Sequence, residues 1–270
     1  MCIRDSITTK ALIDEELPAR GRFVYKENAL VAGIGVVEEV MRQVSRDVSL
    51  EVLKEDSQAV AAGETAVIVE GPAGAILAAE RVSLNFLSHL SGVATLTRLF
   101  VDAAAGTRAK ILDTRKTTPG LRILEKYAVR CGGGENHRMG LYDQVLIKDN
   151  HLALARRSGG AGKLSDALAA VRGAVGTGIV IEVEAKNAEE VSAALDAGAD
   201  IIMLDNMTLE EMTEMVAFIR RGRPSPPLIE ASGGVTLETV AAIAATGVDR
   251  ISVGALTHSA PSIDISLELE

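Results

Sequence analysis

Arg115, Lys116, His137, Arg138 and Lys148 are the residues whose types and spacing most directly suggest chemistry. They fall in the stretch from Asp113 to Lys148, which holds seven lysines and arginines (115, 116, 122, 126, 130, 138, 148) against four acids (113, 125, 135, 143). That stretch carries +3 in a chain of net charge −9, leaving −12 for the remainder. A basic island in an acidic protein points to a small anionic ligand, and the guanidinium fork matches carboxylate or phosphate oxygens in pairs. Arg122, Lys126 and Arg130, spaced by four, read instead as a solvated helix face. His137 sits in Gly132-Gly133-Gly134-Glu135-Asn136-His137-Arg138, a loop too glycine-rich to be core. Glu184 and Asp205 suit Mg²⁺, held directly or through water, or ribose hydroxyls. The Ser232-Gly233-Gly234 turn, just before a helix, offers backbone N–H groups to a phosphate. His151 follows Lys148 by three and fits a helix cap equally well, His89 reads as packed in an apolar helix, and His258 lies near Gly254 in the tail. No spacing suits zinc, and no serine elbow is present.

The elements that must position these groups are visible in the hydrophobic rhythm. After Gly106, apolar strand-like runs alternate with helical segments. The strands are expected at 109–112, 144–147, 179–183, 200–204, 228–229 and 250–253, and the helices at 121–130, 164–175, 188–197, 209–221 and 237–245. Asn187, Thr208 and Thr236 stand where N-caps belong, Gly198 and Gly247 where helices end. Repeated βα units imply a parallel sheet with helices outside. Six strands are too few for a closed eightfold barrel, so an incomplete six- to seven-stranded α/β barrel is expected over 106–270.

Each strand leads at once into residues that no core requires. Ile111-Leu112 leads to Asp113, Thr114, Arg115 and Lys116; Leu146-Ile147 to Lys148; Met203-Leu204 to Asp205; Ile229-Glu230 to Ser232–Gly234; Val253 to Gly254. Glu182 and Glu184 alternate with Ile181 and Val183, so both carboxylates point away from the aliphatics. Barrel active sites lie at the C-terminal ends of the strands, and the usual phosphate site lies near the last of them.

Upstream, residues 1–105 read as a separate α/β domain. Short β runs at 22–26, 30–34, 50–53 and 66–70 surround a helix at 36–44, and a helical stretch from Ala73 to Ala105 is interrupted at Gly92. No apolar run approaches a membrane span. The acidic balance and 3% aromatic content argue against a nucleic-acid surface. Cys2 and Cys131 form neither a framework nor a metal spacing, which suggests a reduced, cytoplasmic setting.

Long segments resemble the signatures of the quinolinate phosphoribosyltransferase family. They are Asp113-Thr114-Arg115-Lys116-Thr117-Thr118-Pro119-Gly120-Leu121-Arg122, Lys126 to Gly134, Asn136-His137-Arg138, Leu146 to His151, Glu182-Val183-Glu184, Met203 to Asn206, Glu230 to Gly234 and Ser252 to Thr257. Glu80 to Asn85 and Leu90-Ser91-Gly92 match as well, and the likeness runs from about Ile7 to the C-terminus.

The resemblance implies an N-terminal open α/β sandwich with a C-terminal incomplete barrel, and phosphoribosyl transfer from phosphoribosyl pyrophosphate to quinolinate with loss of CO₂, with Mg²⁺, in at least a homodimer. Arg115, His137, Arg138 and Lys148 would bind the two quinolinate carboxylates, with Lys116 at their edge and Thr114 beside them. Glu184 and Asp205 would serve ribose and metal, and Lys116 and Lys148 would join them in catalysis. Ser232, Gly233, Gly234 and Gly254 would hold the 5′-phosphate, and Arg81 would reach into the neighbouring subunit's site. Residues 1–6 match nothing in the family and read as a foreign leader on a truncated N-terminus. A paralogous pyrophosphorylase-like protein associated with molybdate transport, and a non-catalytic phosphate-binding barrel, are the competing readings. The first would not need the full Arg115, His137, Arg138 and Lys148 set, nor the second Glu184 and Asp205.

Overall fold

The computed structural model describes residues 6–157, 163–176 and 178–270. Of residues 1–6, expected as a foreign leader, 1–5 lie outside the described residues, while Ser6 caps the first helix by accepting the Thr9 N–H at 3.2 Å. The chain divides into two compact units. The first comprises Met1–Arg98, Thr117–Gly134 and Leu256–Glu270; the second, Leu99–Lys116 and Glu135–Ala255.

In chain order the elements begin with α1 (Ile7–Leu12), β1 (Pro18–Tyr25), β2 (Ala29–Leu30), α2 (Ile34–Val44), β3 (Ser49–Val52), β4 (Ala59–Val60), β5 (Thr65–Pro72) and α3 (Ala73–Ala103). There follow β6 (Lys110–Leu112), α4 (Arg122–Cys131), β7 (Val145–Ile147), α5 (Asp149–Arg157), α6 (Leu164–Val175), β8 (Ile181–Ala185) and α7 (Ala188–Asp196). The last are β9 (Ile201–Asp205), α8 (Leu209–Arg220), β10 (Leu228–Ser232), α9 (Leu237–Ala245), β11 (Arg250–Ser252), α10 (Ala255–His258) and β12 (Ile265–Leu269).

The first unit is built on an antiparallel sheet in the order β12-β1-β5-β3. Its core gathers Phe23, Tyr25, Val37, Met41, Val67, Val69, Ile76 and Leu87. Helix α2 turns Ile34, Val37 and Met41 inward at helical spacing, and the Asp56 carboxylate caps it by accepting the Gly33 and Ile34 N–H groups at 2.9 and 3.1 Å. Two features depart from the pattern read along the sequence. Strand β12 pairs with β1, Gly21 opposite Leu269 and Tyr25 opposite Ile265, so the chain's end joins the first unit rather than the barrel. Its alternating Ile265, Leu267 and Leu269 supply the apolar face that demands a partner. Nor does Gly92 interrupt α3, which runs unbroken through it. Glycine is needed there because the Pro261 carbonyl passes so close that a Cβ would stand 2.0 Å from its oxygen.

Helix α4 belongs to the first unit and is only partly the solvated face its charges suggest, with Arg130 exposed and Arg122 half-buried. Lys126 is 1% exposed, on a buried face with Glu125, Ala128, Val129 and Cys131. Buried Glu125 accepts from the Thr118 N–H at 3.1 Å and pairs with His89 Nε2 at 2.9 Å. His89 is therefore a hydrogen-bonding partner of Glu125 rather than a merely packed residue. Cys131 is buried and forms no disulfide.

The second unit is a six-stranded, wholly parallel sheet in the order β6-β11-β10-β9-β8-β7. Its first two strands occupy opposite edges, leaving the ring open between β6 and β7, as an incomplete α/β barrel requires. The free edge of β6 takes a single bridge from Glu135, whose N–H donates to the Ile111 carbonyl at 2.8 Å. Asn187 caps α7, a reciprocal Thr208–Glu211 box caps α8, and Thr236 caps α9. Gly198 and Gly247 follow their helices at positive φ, where a side chain would be strained. Among the described residues no helix is long and apolar enough to cross a membrane.

Candidate functional site

Parallel pairing carries one facing direction from strand to strand. Leu146 registers with Glu182, Glu184 with Met203, Asp205 with Ser232, and Ser232 with Ser252. Alternation on each strand then brings Leu146, Glu184, Met203, Asp205, Ser232 and Ser252 to a single sheet face. All six line a cavity of about 590 Å³ at the strands' C-terminal ends, together with Thr114, Arg115, Lys116, His137, Arg138, Lys148, Asn206, Gly233 and Gly234.

The cations reach this cavity by three routes. Arg115 and Lys116 follow β6 in a tight turn, with the Lys116 N–H donating to Thr114 Oγ1 at 3.0 Å. His137 and Arg138 arrive on the segment that borders β6. The His137 N–H donates to Asp113 Oδ1 at 2.8 Å, and Arg138 Nη1 donates to the Gln144 carbonyl at 3.1 Å. Lys148 follows β7, and its Nζ donates to Glu184. His151 is settled as a cap, since its Nδ1 accepts the Lys148 N–H at 3.0 Å at the start of α5. Burial and the nearby charge of Arg115 both lower the Arg138 pKa, opposed by Glu182 and Asp143. Two guanidinium groups that repel at a cavity wall are poised to accept an anion between them.

His137 is 8% exposed, with Nε2 3.1 Å from Glu182 and 3.4 Å from Glu230. Burial disfavours its charged form, but the two carboxylates outweigh burial and push its pKa up to about 9. The Arg138 N–H aimed at Nδ1 from 2.7 Å acts in the opposite sense. The Nε2 edge of the ring lies beside the two carboxylates.

Opposite the cations, β9 and β10 end in Asp205 and the Ser232–Gly234 turn. The Asn206 N–H donates to the Ser232 carbonyl at 2.9 Å, tying the two loops together. Gly233 (φ 99°) and Gly234 (φ 59°) adopt left-handed conformations, and a Cβ on Gly233 would stand 2.2 Å from Asn206 Oδ1. Only glycine fits that position, and the turn leads directly into Thr236 and α9.

Of the residues singled out from sequence, Arg81 and Gly254 do not line this cavity, and His258 is exposed and bonds Ser259. Arg81 belongs to the first unit. There it is exposed, makes no ion pair among the described residues, and lines a separate cavity of about 520 Å³ with Leu84, Asn85, Ser88 and Asp264. Sequence reasoning missed Leu146, Met203, Asn206 and Ser252 as lining residues. Their signal was strand parity, because Met203 stands two before Asp205, and Leu146 two before Lys148.

Residues 93–268 match the family described as quinolinate phosphoribosyl transferase, C-terminal domain, and residues 6–91 match its N-terminal domain. The chain is 44% identical over 266 residues to the nicotinate-nucleotide pyrophosphorylase (carboxylating) of Mycobacterium leprae, covering 97% of this chain and 90% of that protein. It is 41% identical over 263 residues to a probable enzyme of the same name from Bacillus subtilis, covering 97% and 87%. Among solved structures, the nicotinate-nucleotide pyrophosphorylase from Francisella tularensis superposes with a TM-score of 0.90 at 38% identity, covering 98% of this chain and 90% of that one.

Proposed function

The chain belongs to the quinolinate phosphoribosyltransferase family, and from that premise we propose that it transfers the phosphoribosyl group of phosphoribosyl pyrophosphate to quinolinate. The products are nicotinate mononucleotide, pyrophosphate and CO₂, within de novo NAD biosynthesis. One observation carries this reading: Arg115, Lys116, Arg138 and Lys148 share a cavity with only two lining carboxylates, Glu184 and Asp205. The lining therefore holds two positive charges in excess before His137 is counted, the charge of one dicarboxylate.

Arg115, Arg138, Lys148 and His137 would bind and orient the two quinolinate carboxylates, with Thr114 beside them. Ser232–Gly234 would hold the 5′-phosphate through backbone N–H groups, with Gly254 following the neighbouring strand. Attack of the ring nitrogen on the ribosyl carbon breaks the bond to pyrophosphate, and positive charge develops on the sugar. Glu184 and Asp205 would favour that charge electrostatically, while Lys116, exposed at the rim, offsets charge on the anions. Ribosylated nitrogen is cationic and accepts the electron pair released as the 2-carboxylate leaves as CO₂, after which the ring carbon takes a proton. Two oxygen-donor side chains ending adjacent parallel strands suit a hard cation. Glu184 and Asp205 would hold Mg²⁺, directly or through water, and when bound it would neutralise charge on the pyrophosphate. Formation of nicotinate mononucleotide from the two substrates tests this assignment.

We further propose a cytoplasmic enzyme, consistent with the free Cys131 thiol, that works as a homodimer or higher homo-oligomer. Arg81 would then complete the site of a partner subunit, with each subunit lending one arginine and receiving one across a two-fold interface. An inactive Arg81→Ala chain reassociated with an inactive Lys148→Ala chain is expected to regain part of the activity, because one site of the mixed dimer carries neither change. Proven subunit exchange without recovery would remove Arg81 from the site.

A further inference from the structure

Glu182 and Glu230 are fully buried carboxylates on the inward faces of β8 and β10, where a barrel interior calls for apolar side chains. Burying such groups without partners costs far more than one hydrogen bond returns, so the partners indicate what the carboxylates hold. Glu182 accepts from the Gln144 amide at 2.7 Å, while Glu230 accepts from the Ser252 hydroxyl and lies 3.1 Å from Arg250 Nε. One group is shared by both: Nε2 of His137, 3.1 Å from Glu182 and 3.4 Å from Glu230. The other ring nitrogen receives the Arg138 N–H at 2.7 Å, and the His137 N–H is fixed on Asp113 at 2.8 Å. The ring is thus flanked at both nitrogens, and its own main chain is tied to Asp113. His137 and Arg138 line the cavity above, and neither Glu182 nor Glu230 does.

We propose that Glu182 and Glu230 are positioning residues for quinolinate binding, acting together through His137 to fix its ring, and the Arg138 turn behind it, beneath the acceptor. This rests on the functional reading above, which makes His137 and Arg138 acceptor ligands. Two strands separated by β9 each send a carboxylate toward the same imidazole nitrogen. A single carboxylate would leave the ring free to rotate about the contact, whereas two from different directions restrain it. Neither carboxylate lines the cavity, so the cluster is a support built beneath the site rather than a second pocket.

The test compares Glu182→Gln, Glu230→Gln and His137→Ala in the full-length protein. Each Gln variant is expected to raise KM for quinolinate by roughly 10- to 100-fold, the worth of a hydrogen bond to a charged group. KM for phosphoribosyl pyrophosphate should stay within about twofold and kcat should change much less than the quinolinate KM, the pattern of lost acceptor binding rather than lost chemistry. A merely structural role would lower the melting temperature and the active fraction and leave both KM values unchanged. Wild-type quinolinate KM in both Gln variants, alongside a raised value in His137→Ala, would overturn the proposal. An unchanged KM in His137→Ala would overturn it as well. A second readout needs no turnover and so separates this idea from the assignment of activity. In ¹⁵N-edited spectra of the histidine rings, His137 Nε2 should hold its proton in wild type and lose that protection in either Gln variant. Ring signals unaltered by both substitutions would equally sink it. Should a Gln variant fail to fold, Gln144→Leu releases Glu182 from its amide partner alone. It should move the same readouts by about threefold, and no movement would count against the proposal.

Discussion

Glu184→Gln and Asp205→Asn are each expected to lower kcat on the order of 10²–10³-fold, the loss typical of one oriented electrostatic group, with a much smaller effect on quinolinate affinity. Both carboxylates line the cavity and end adjacent parallel strands, across from Arg115 and Arg138. They favour positive charge at the sugar, which exists only as the bond to pyrophosphate breaks, so their removal acts on the transition state more than on the bound acceptor. Glutamine and asparagine preserve volume and hydrogen-bonding capacity, which isolates charge as the variable. The Glu184 substitution also releases Lys148, its partner at the end of the neighbouring strand, so some gain in acceptor affinity is compatible with a large fall in kcat. Single-turnover rates together with calorimetric titration of quinolinate separate the two quantities. A kcat near wild type in either variant would remove that residue from its assigned role.

Quinolinate is expected to exceed nicotinate as acceptor by roughly 30- to 5,000-fold in kcat/KM, corresponding to about 2–5 kcal/mol for leaving a buried charge contact unmade. Nicotinate has one carboxylate, while the cavity wall carries Arg115, Arg138, Lys148 and His137 for two. Without the second anion, Arg115 and Arg138 would keep the mutual repulsion that lowers the Arg138 pKa. A site built around a charged contact rejects the analogue that lacks it far more strongly than an apolar pocket rejects a missing methylene. Competition between the two acids for limiting phosphoribosyl pyrophosphate measures the ratio directly. Comparable turnover of nicotinate would contradict the reading of the cation set.

The barrel was legible because each strand was an apolar run ending in a polar residue, and because Asn187, Thr208 and Thr236 marked helix starts by capping chemistry. Ser232–Gly234 was legible for a similar local reason, with two glycines standing where the backbone turns left-handed. Long-range pairing was harder to see. Nothing near Ile265–Leu269 says that its partner is β1, some 240 residues earlier, and the strand's alternation gives only its face. Lys126 looked solvated because charge usually marks the surface, while its burial depends on packing that no local window contains. Met203 and Leu146 looked like ordinary core, yet the parity that points Asp205 and Glu184 into the cavity points them there too. Glu182 was read correctly as facing away from Ile181 and Val183, but its partners Gln144 and His137 arrive from other segments of the chain.

The central claim is that one cavity couples phosphoribosyl transfer to loss of the 2-carboxylate. Incubating the protein with quinolinate labelled with ¹³C at that carboxylate, phosphoribosyl pyrophosphate and Mg²⁺, and following both products by ¹³C and ³¹P NMR, tests it most directly. The expected result is one labelled CO₂ for each nicotinate mononucleotide, with neither product formed when phosphoribosyl pyrophosphate is omitted. Absence of nucleotide from properly folded protein, or consumption of phosphoribosyl pyrophosphate without labelled CO₂, would contradict the assignment.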